Sequence, residues 1–216
     1  MTEKYASIDI AGHDGERINN TFTIAEGRTT DKVVIVFPGI GYKCGMPLLY
    51  YPSKLLFEKG YDLLWVEYDY RGKKRWDSLT DDQQVAWMNF DAAAVYSAVL
   101  REGAYKDIVL IGKSLGCFHL AALNGLYPNI KQNIWMTPLW GSDFVYPSMR
   151  KFWNKSLYAV GTADPYYNRE RVEEIKKLGG IALVMDGADH SMEEKDTQKS
   201  IDNITKVVRW VDSLVK

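Results

Sequence analysis

The chain has 216 residues, and its 27 Lys and Arg against 28 Asp and Glu give a formal net charge of −1. This balance argues against a nucleic-acid partner held by bulk positive charge, because such binders show a basic excess or patch. With 46% hydrophobic and 25% charged residues, the composition is that of a packed globular chain, not of a disordered or disulfide-scaffold one. We therefore predict a single domain over residues 1–216.

Cysteine usage and hydropathy bear on the cellular compartment. Cys44 and Cys117 are the two cysteines, too few for a disulfide framework, which favours a reducing environment. Residues 1–5 lack the apolar stretch of a secretory signal, and no run of about 18 apolar residues could span a membrane. We expect a cytoplasmic protein without a membrane partner, and the sequence does not predict its oligomeric state.

The strands come first in chain order. Two short alternating stretches between residues 5 and 24 flank a polar segment at 13–16, which predicts a hairpin of edge strands. Six apolar runs without alternation follow, and such runs are typical of strands buried on both faces of a parallel sheet. They lie at residues 33–37, 63–66, 108–111, 134–136, 157–160 and 181–184.

Segments of helical period separate these runs and follow the last one. They cover about residues 48–59, 80–101, 115–126, 169–178 and 195–215. The alternation predicts an α/β fold, a mostly parallel doubly wound sheet of about eight strands with helices on both faces. Residues 137–155 have no clear period and many aromatic side chains, and we interpret them as a short lid or pocket loop.

One serine lies where an apolar strand gives way to a helix. Gly112 and Gly116 flank Ser114 in a Gly-x-Ser-x-Gly pentapeptide. We predict a sharp turn that holds the serine backbone in a strained conformation and presents its hydroxyl above the sheet edge, with both glycines required by close packing. A plain turn that happens to contain serine is the alternative, and the flanking strand and helix favour the nucleophile.

A serine nucleophile requires a base. His190 follows the last apolar run in a polar, glycine-containing loop, and it is the predicted base. His13 lies in the predicted hairpin, and His119 lies five residues beyond Ser114, roughly 500° around a helix with about 100° per residue. We expect structural or solvated roles for His13 and His119.

The base in turn requires an orienting acid. Asp164 follows the run at 157–160, and a buried carboxylate there would fix the imidazole tautomer and stabilise its protonated form. Three other aspartates remain as alternatives, two close in sequence to His190 and one in the irregular segment: Asp186, Asp189 and Asp143.

Backbone amides are available to stabilise an oxyanion. The helix after Ser114 offers the N–H of Leu115 near its N-terminus. Gly39 and Gly41, after the first buried run, let the backbone approach a ligand closely, so we predict Ile40 N–H as the second donor. Pro-Gly is also a common turn, so this prediction depends on Ser114.

The chain order Ser114, Asp164, His190, with each residue after a successive strand, resembles the α/β-hydrolase fold family. The resemblance covers essentially the whole chain and includes Asp69-Tyr70-Arg71-Gly72, which is similar to a D-x-R-G of many members. Two departures are Pro38, where many members have histidine, and Lys113 before the nucleophile. Only 20 residues separate the runs at 134–136 and 157–160, which leaves no room for a large cap domain.

The resemblance implies a serine hydrolase that cleaves a carboxylic ester or thioester through an acyl-enzyme on Ser114, with a small-molecule acyl substrate and no metal or organic cofactor. Acyl transfer, perhydrolysis and peptide cleavage use the same triad, and a non-catalytic binding module is the rival outside enzymology. Aromatic side chains are predicted to line the substrate pocket, with core packing as the alternative for each: Tyr42, Trp140, Phe144, Tyr146, Phe152 and Trp153.

Overall fold

The structure is a computed structural model, and it describes residues 2–68, 70 and 74–215. Within these residues eight strands form one sheet in the order β1-β2-β4-β3-β5-β6-β7-β8. The strands are β1 (Glu3–Ala6), β2 (Asn19–Ala25), β3 (Lys32–Phe37), β4 (Asp62–Glu67), β5 (Asp107–Lys113), β6 (Ile130–Met136), β7 (Ser156–Gly161) and β8 (Ile181–Met185).

The predicted α/β class is confirmed. From β4 to β8 the neighbouring strands pair in parallel, and β2 runs antiparallel to β1 and β4. All six apolar runs are strands. The prediction of burial on both faces is wrong for residues 181–184, which are exposed or half-buried because β8 is an edge strand. The continuous run in β3 follows from its position, since Val33 and Ile35 face one core while Val34 and Val36 face the other.

Helices cover both faces of the sheet. Helices α1 and α7 pack on one face, and α3, α4, α5 and α6 pack on the other. They are α1 (Pro47–Glu58), α2 (Lys74–Asp77), α3 (Asp81–Glu102), α4 (Gly116–Leu126), α5 (Val145–Lys151), α6 (Arg169–Lys177) and α7 (Thr197–Leu214), with single 3-10 turns at His13–Gly15 and Trp153–Lys155. The five predicted helices are confirmed, with ends that agree to within about two residues.

Residues 137–155 are more ordered than their sequence suggests. They contain α5 and the turn Trp153–Lys155, and Val145 and Met149 of α5 are fully buried. The helix escapes a search for period because seven residues make barely two turns, too few to establish a 3.6-residue repeat.

Two further observations concern the rest of the chain. The segment Asp69-Tyr70-Arg71-Gly72 lies outside the described residues except for Tyr70, which is buried. Among the described residues no helix combines the length and the apolar character needed to cross a membrane.

Candidate active site

Ser114 occupies the turn between β5 and α4 with strained backbone. Its φ is +51°, and its N–H donates to Met136 O on the neighbouring strand at 3.1 Å. Left-handed backbone is disfavoured for a residue with a Cβ by roughly 1–2 kcal/mol. Thr137, which follows β6 beside this turn, also has a positive φ, +42°. Strain at two adjacent strand ends is typical of a functional edge of a sheet.

Close packing requires the two flanking glycines, as predicted. A Cβ on Gly116 would lie 2.2 Å from Phe37 O, and one on Gly112 would lie 2.6 Å from Leu120 Cδ1. A third glycine, Gly39, approaches the serine itself, because a Cβ there would lie 3.2 Å from Ser114 Cβ. The loop after β3 therefore rests directly against the serine turn.

His190 and Asp164 form a hydrogen-bonded pair. His190 Nδ1 lies 2.8 Å from Asp164 Oδ2, and the carboxylate is completely buried while the imidazole is 25% exposed. The other carboxylate oxygen accepts the N–H of Tyr166 at 2.8 Å, and the Tyr166 ring packs against the imidazole at a centroid distance of 5.1 Å. These contacts orient the ring and leave Nε2 as the nitrogen not bonded to the acid.

Hydrogen bonds join the loop that carries His190 to the loop after β7. Ala163 N–H donates to Ala188 O at 3.0 Å, and the hydroxyl of Thr162 accepts the N–H of Gly187 at 2.8 Å. Gly161 makes this approach feasible, since a Cβ there would lie 2.0 Å from Ala188 O. The acid and the base are thus held by one connected set of backbone contacts.

The other three aspartates have different partners. Asp186 accepts the hydroxyl of Thr162 at 2.9 Å. Asp189 accepts two backbone amides of its own loop, at 2.7 and 3.0 Å. Asp143 is 98% exposed and lies 3.7 Å from an arginine. Of the four aspartates, the structure brings Asp164 to the histidine.

A tight turn after β3 carries Ile40, the second predicted oxyanion donor. Gly39 and Tyr42 exchange two backbone hydrogen bonds of 3.2 and 3.3 Å, and Gly41 has a φ of +71°. Ile40 is therefore at the outer corner of the turn, where it is 45% exposed. Within the part of the chain that the structure describes, the amides of Ile40 and Leu115 donate no hydrogen bond, so both are available to a ligand.

The predicted pocket aromatics divide into two groups. Trp140 and Tyr146 pack beside Tyr158 in the core under β7, and Trp140 is fully buried. Trp153 packs against Gly179, just before β8 begins. It lies at the amino end of β7, whereas Asp164 follows the carboxyl end of that strand. Phe152 directly follows α5, and its ring contacts the ammonium groups of the two flanking lysines at 5.1 and 4.9 Å. The contacts that the structure gives these four side chains do not include Ser114.

Tyr42 and Phe144 lie closer to the serine turn. Tyr42 belongs to the turn at Gly39, is buried, and accepts the N–H of Leu48 with its hydroxyl at 2.9 Å. Phe144 is half-buried and stacks on Phe118, with 5.7 Å between ring centroids. Of the two rings, the half-buried Phe144 is more exposed to solvent than the buried Tyr42.

Phe118, which the sequence did not indicate as a pocket residue, stacks on Phe144. It lies four residues after Ser114, in the first turn of α4, and is half-buried. The side chains of Phe118 and Leu115 both pack against an aromatic cluster that includes Trp76 and Trp87. The sequence holds no periodic signal that pairs Phe118 with Ser114, because Ser114 precedes α4 and has left-handed backbone.

His119 has the structural role that its position predicts. It is fully buried, and its ring stacks between Phe37 and Tyr68 at centroid distances of 5.0 and 4.5 Å. Its Nδ1 lies 3.0 Å from the Tyr68 hydroxyl and its Nε2 lies 3.2 Å from that of Tyr70. Burial lowers the pKa of His119 to about 3, which keeps the ring neutral.

Several solved protein structures are similar to this one. No family model and no curated protein matches the sequence. A protein of unknown function from Agrobacterium tumefaciens, provisionally designated an alpha/beta hydrolase, is similar, with a TM-score of 0.73, 18% identity and coverage of 96% of this chain and 95% of that one. A Xanthomonas campestris serine hydrolase without a lid has a TM-score of 0.70 and 17% identity over 97% and 94% of the two chains. An esterase from Pyrococcus furiosus has a TM-score of 0.69 and 15% identity over 99% and 92%.

These likenesses extend over the full length of the chain. At identities of 15–18% they define the fold, and the chain has the α/β-hydrolase fold. Between β6 and β7, where residues 137–155 are all described, the chain carries one short helix and a 3-10 turn instead of a cap domain.

Proposed function

We propose that this protein is a serine hydrolase that cleaves a carboxylic ester or thioester through an acyl-enzyme on Ser114. The observation that carries the proposal is the strained Ser114 at the end of β5, together with a buried Asp164 bonded to His190 at the same edge of the sheet. The fold shared with serine hydrolases and an esterase supports hydrolytic chemistry, although fold alone does not determine function.

The proposed reaction begins at the serine hydroxyl. His190 Nε2 takes the proton from Ser114 Oγ while Oγ attacks the carbonyl carbon, and the carbonyl oxygen becomes an oxyanion. The amides of Ile40 and Leu115 donate to this oxyanion. His190 then gives its proton to the departing alcohol or thiol, and a water molecule activated by the same nitrogen hydrolyses the acyl-enzyme.

Asp164 serves the histidine in both steps. The bond from Nδ1 holds the imidazole in the tautomer that leaves Nε2 free to accept a proton. Because the carboxylate is buried, its attraction to the developing imidazolium acts through a medium that screens less than water. The pair therefore stabilises the charge that appears in the transition state.

The substrate class follows from the surroundings of the serine. The stacked rings of Phe118 and Phe144 form an apolar wall at the first turn of α4, which begins two residues after Ser114. Without a cap domain, a small acyl group would be held mainly by this wall and by short loops. We therefore propose small apolar acyl groups as the preferred substrates.

A panel of p-nitrophenyl esters and matched thioesters, with acyl chains of two to eight carbons, tests the proposal. Turnover by the wild type should be lost in Ser114→Ala, and Phe144→Ala should raise KM more for longer chains because it removes apolar contact. Phe152→Ala, which removes a ring from a different part of residues 137–155, is the matched control. Turnover equal in wild type and Ser114→Ala would contradict the proposal.

A further inference from the structure

Lys113, the residue before the nucleophile, is a buried cation that the proposed reaction does not use. The residue is 2% exposed, and its Nζ lies 4.6 Å from the centroid of the Tyr42 ring. Among the described residues Nζ makes no hydrogen bond or ion pair. An ammonium group in such a place has lost most of its water, so its contact with the ring face carries unusual weight.

The side chain of Lys113 lies under the turn that carries the proposed oxyanion donor. A Cβ on Gly39 would lie 3.6 Å from Lys113 Cδ and 3.3 Å from Lys113 O, so the lysine stem forms the floor of this turn. Gly39 and Tyr42 close the turn with their two mutual hydrogen bonds. Lys113 thus contacts both ends of the segment whose corner is Ile40.

Tyr42 connects the same contact to the rest of the fold. Its hydroxyl accepts the N–H of Leu48 at the start of α1, so the ring is fixed at one edge by a helix and covered on one face by a cation. Burial raises the pKa of Tyr42 to about 12, and the phenol stays neutral over the working range of pH. The lysine is therefore the partner whose charge can change.

We propose that Lys113 is a positioning residue, whose stem and ammonium group hold the turn at residues 39–42, and with it the amide of Ile40, against the serine turn. This inference rests on the proposed function, because it assigns Lys113 to the oxyanion donor of that reaction. An amide that binds the oxyanion acts mainly in the transition state. Loss of its positioning should therefore lower kcat and leave KM nearly unchanged.

The electrostatic surroundings predict how the effect depends on pH. Burial lowers the pKa of Lys113 to about 8, against an opposing influence of Cys117, Asp164 and Asp189. Cys117 has a pKa raised by its own burial. Lys113 is thus charged at pH 7 and loses its proton as the pH rises through about 8, which removes the attraction to Tyr42.

The test compares kcat of wild type and Lys113→Met, which keeps a flexible stem and removes the charge. At pH 7 the variant should be about tenfold slower with KM nearly constant, because a desolvated cation–π contact is worth close to one factor of ten. At pH 9.5 the two rates should converge. Lys155→Met, which removes a half-buried lysine 4.9 Å from the Phe152 ring at the start of β7, should match wild type at both pH values.

Tyr42→Leu and the double variant complete the experiment. Tyr42→Leu removes the ring face and should slow turnover to the same extent at pH 7, and Lys113→Met should add little in that background. A constant ratio of wild-type to Lys113→Met rates across pH, or a full additional loss in the double variant, would overturn the proposal. Covalent labelling of Ser114 in every variant by a fluorophosphonate separates this result from failure of the hydrolase mechanism itself, in which the wild type would not label.

Discussion

His190 and His119 are two histidines of the same chain, and their environments differ in almost every respect. His190 is in a loop, one quarter exposed, with one nitrogen on a buried carboxylate. His119 is fully buried between aromatic rings, with both nitrogens beside tyrosine hydroxyls.

The difference shows how environment divides roles between identical side chains. A general base must gain and lose a proton during turnover. His190 has a buried carboxylate on Nδ1 and one nitrogen, Nε2, that is not bonded to that acid. His119 has a low pKa caused by burial, and its neutral ring completes a hydrogen-bonded network instead.

The largest expected effect comes from removing the proposed base. His190→Ala should lower kcat by a factor on the order of 10⁵ to 10⁶, since nucleophile and base act as a unit. The measurement is hydrolysis of the best p-nitrophenyl ester by purified, folded protein. His13→Ala is the matched control and should keep the wild-type kcat. A kcat of His190→Ala within tenfold of wild type would contradict the role of His190 as the base.

Changing Asp164, the hydrogen-bond partner of His190, should cause the next largest loss of kcat. Asp164→Asn should lower kcat by about 10⁴, because an amide there favours the wrong imidazole tautomer and cannot balance the imidazolium charge. Asp186 follows β8 in the loop that carries His190, but it bonds Thr162. Asp186→Asn should therefore keep a kcat close to that of wild type. A near-normal rate for Asp164→Asn would transfer the orienting role to Asp186, Asp189 or Asp143.

Removing His119 should affect stability instead of chemistry. His119→Ala leaves the hydroxyls of Tyr68 and Tyr70 without this partner and opens a cavity beside Phe37, which together should lower the free energy of unfolding by about 3 kcal/mol. Urea denaturation measures this loss. Turnover of the folded variant should far exceed that of His190→Ala, and a collapse of turnover without loss of stability would give His119 a part in the reaction.

The smallest effect is a pH dependence of stability. Because the pKa of His119 is about 3 in the folded state and 6.5 in the unfolded state, the unfolded chain binds the additional proton between these values. The contribution of His119 is therefore complete above pH 6.5 and falls with decreasing pH, by up to about 1.4 kcal/mol per pH unit. Urea titrations at pH 7, 6 and 5 should show the advantage of wild type over His119→Phe shrinking, and an advantage independent of pH would contradict the buried neutral assignment.

The fold was accessible from the sequence because its signals are local. Continuous β-branched runs such as that in β3 are typical of strands buried on both faces, and glycines such as Gly116 mark contacts too close for a side chain. Helix α5 was not accessible, since a helix of seven residues depends on tertiary packing of Val145 and Met149 more than on period.

The sequence predicted which residues could form the candidate site, but it did not predict the tertiary contacts that bring them together. The order of Ser114, Asp164 and His190 followed from strand ends, but the choice among four aspartates needed the packing of Gly161 against Ala188, which joins distant segments. The aromatic side chains after β6 could be listed, yet the sequence could not tell which would enter the core. The contact of Lys113 with Tyr42 was equally out of reach, because it joins the ends of β5 and β3 through a loop.

The proposed role of Ser114 as nucleophile can be measured by covalent labelling of the intact protein with a fluorophosphonate probe, with the modified residue located by mass spectrometry. We expect one label on Ser114 of the wild type, no label on Ser114→Ala, and strongly slowed labelling of His190→Ala. No labelling of the wild type, or labelling at a different serine, would contradict it.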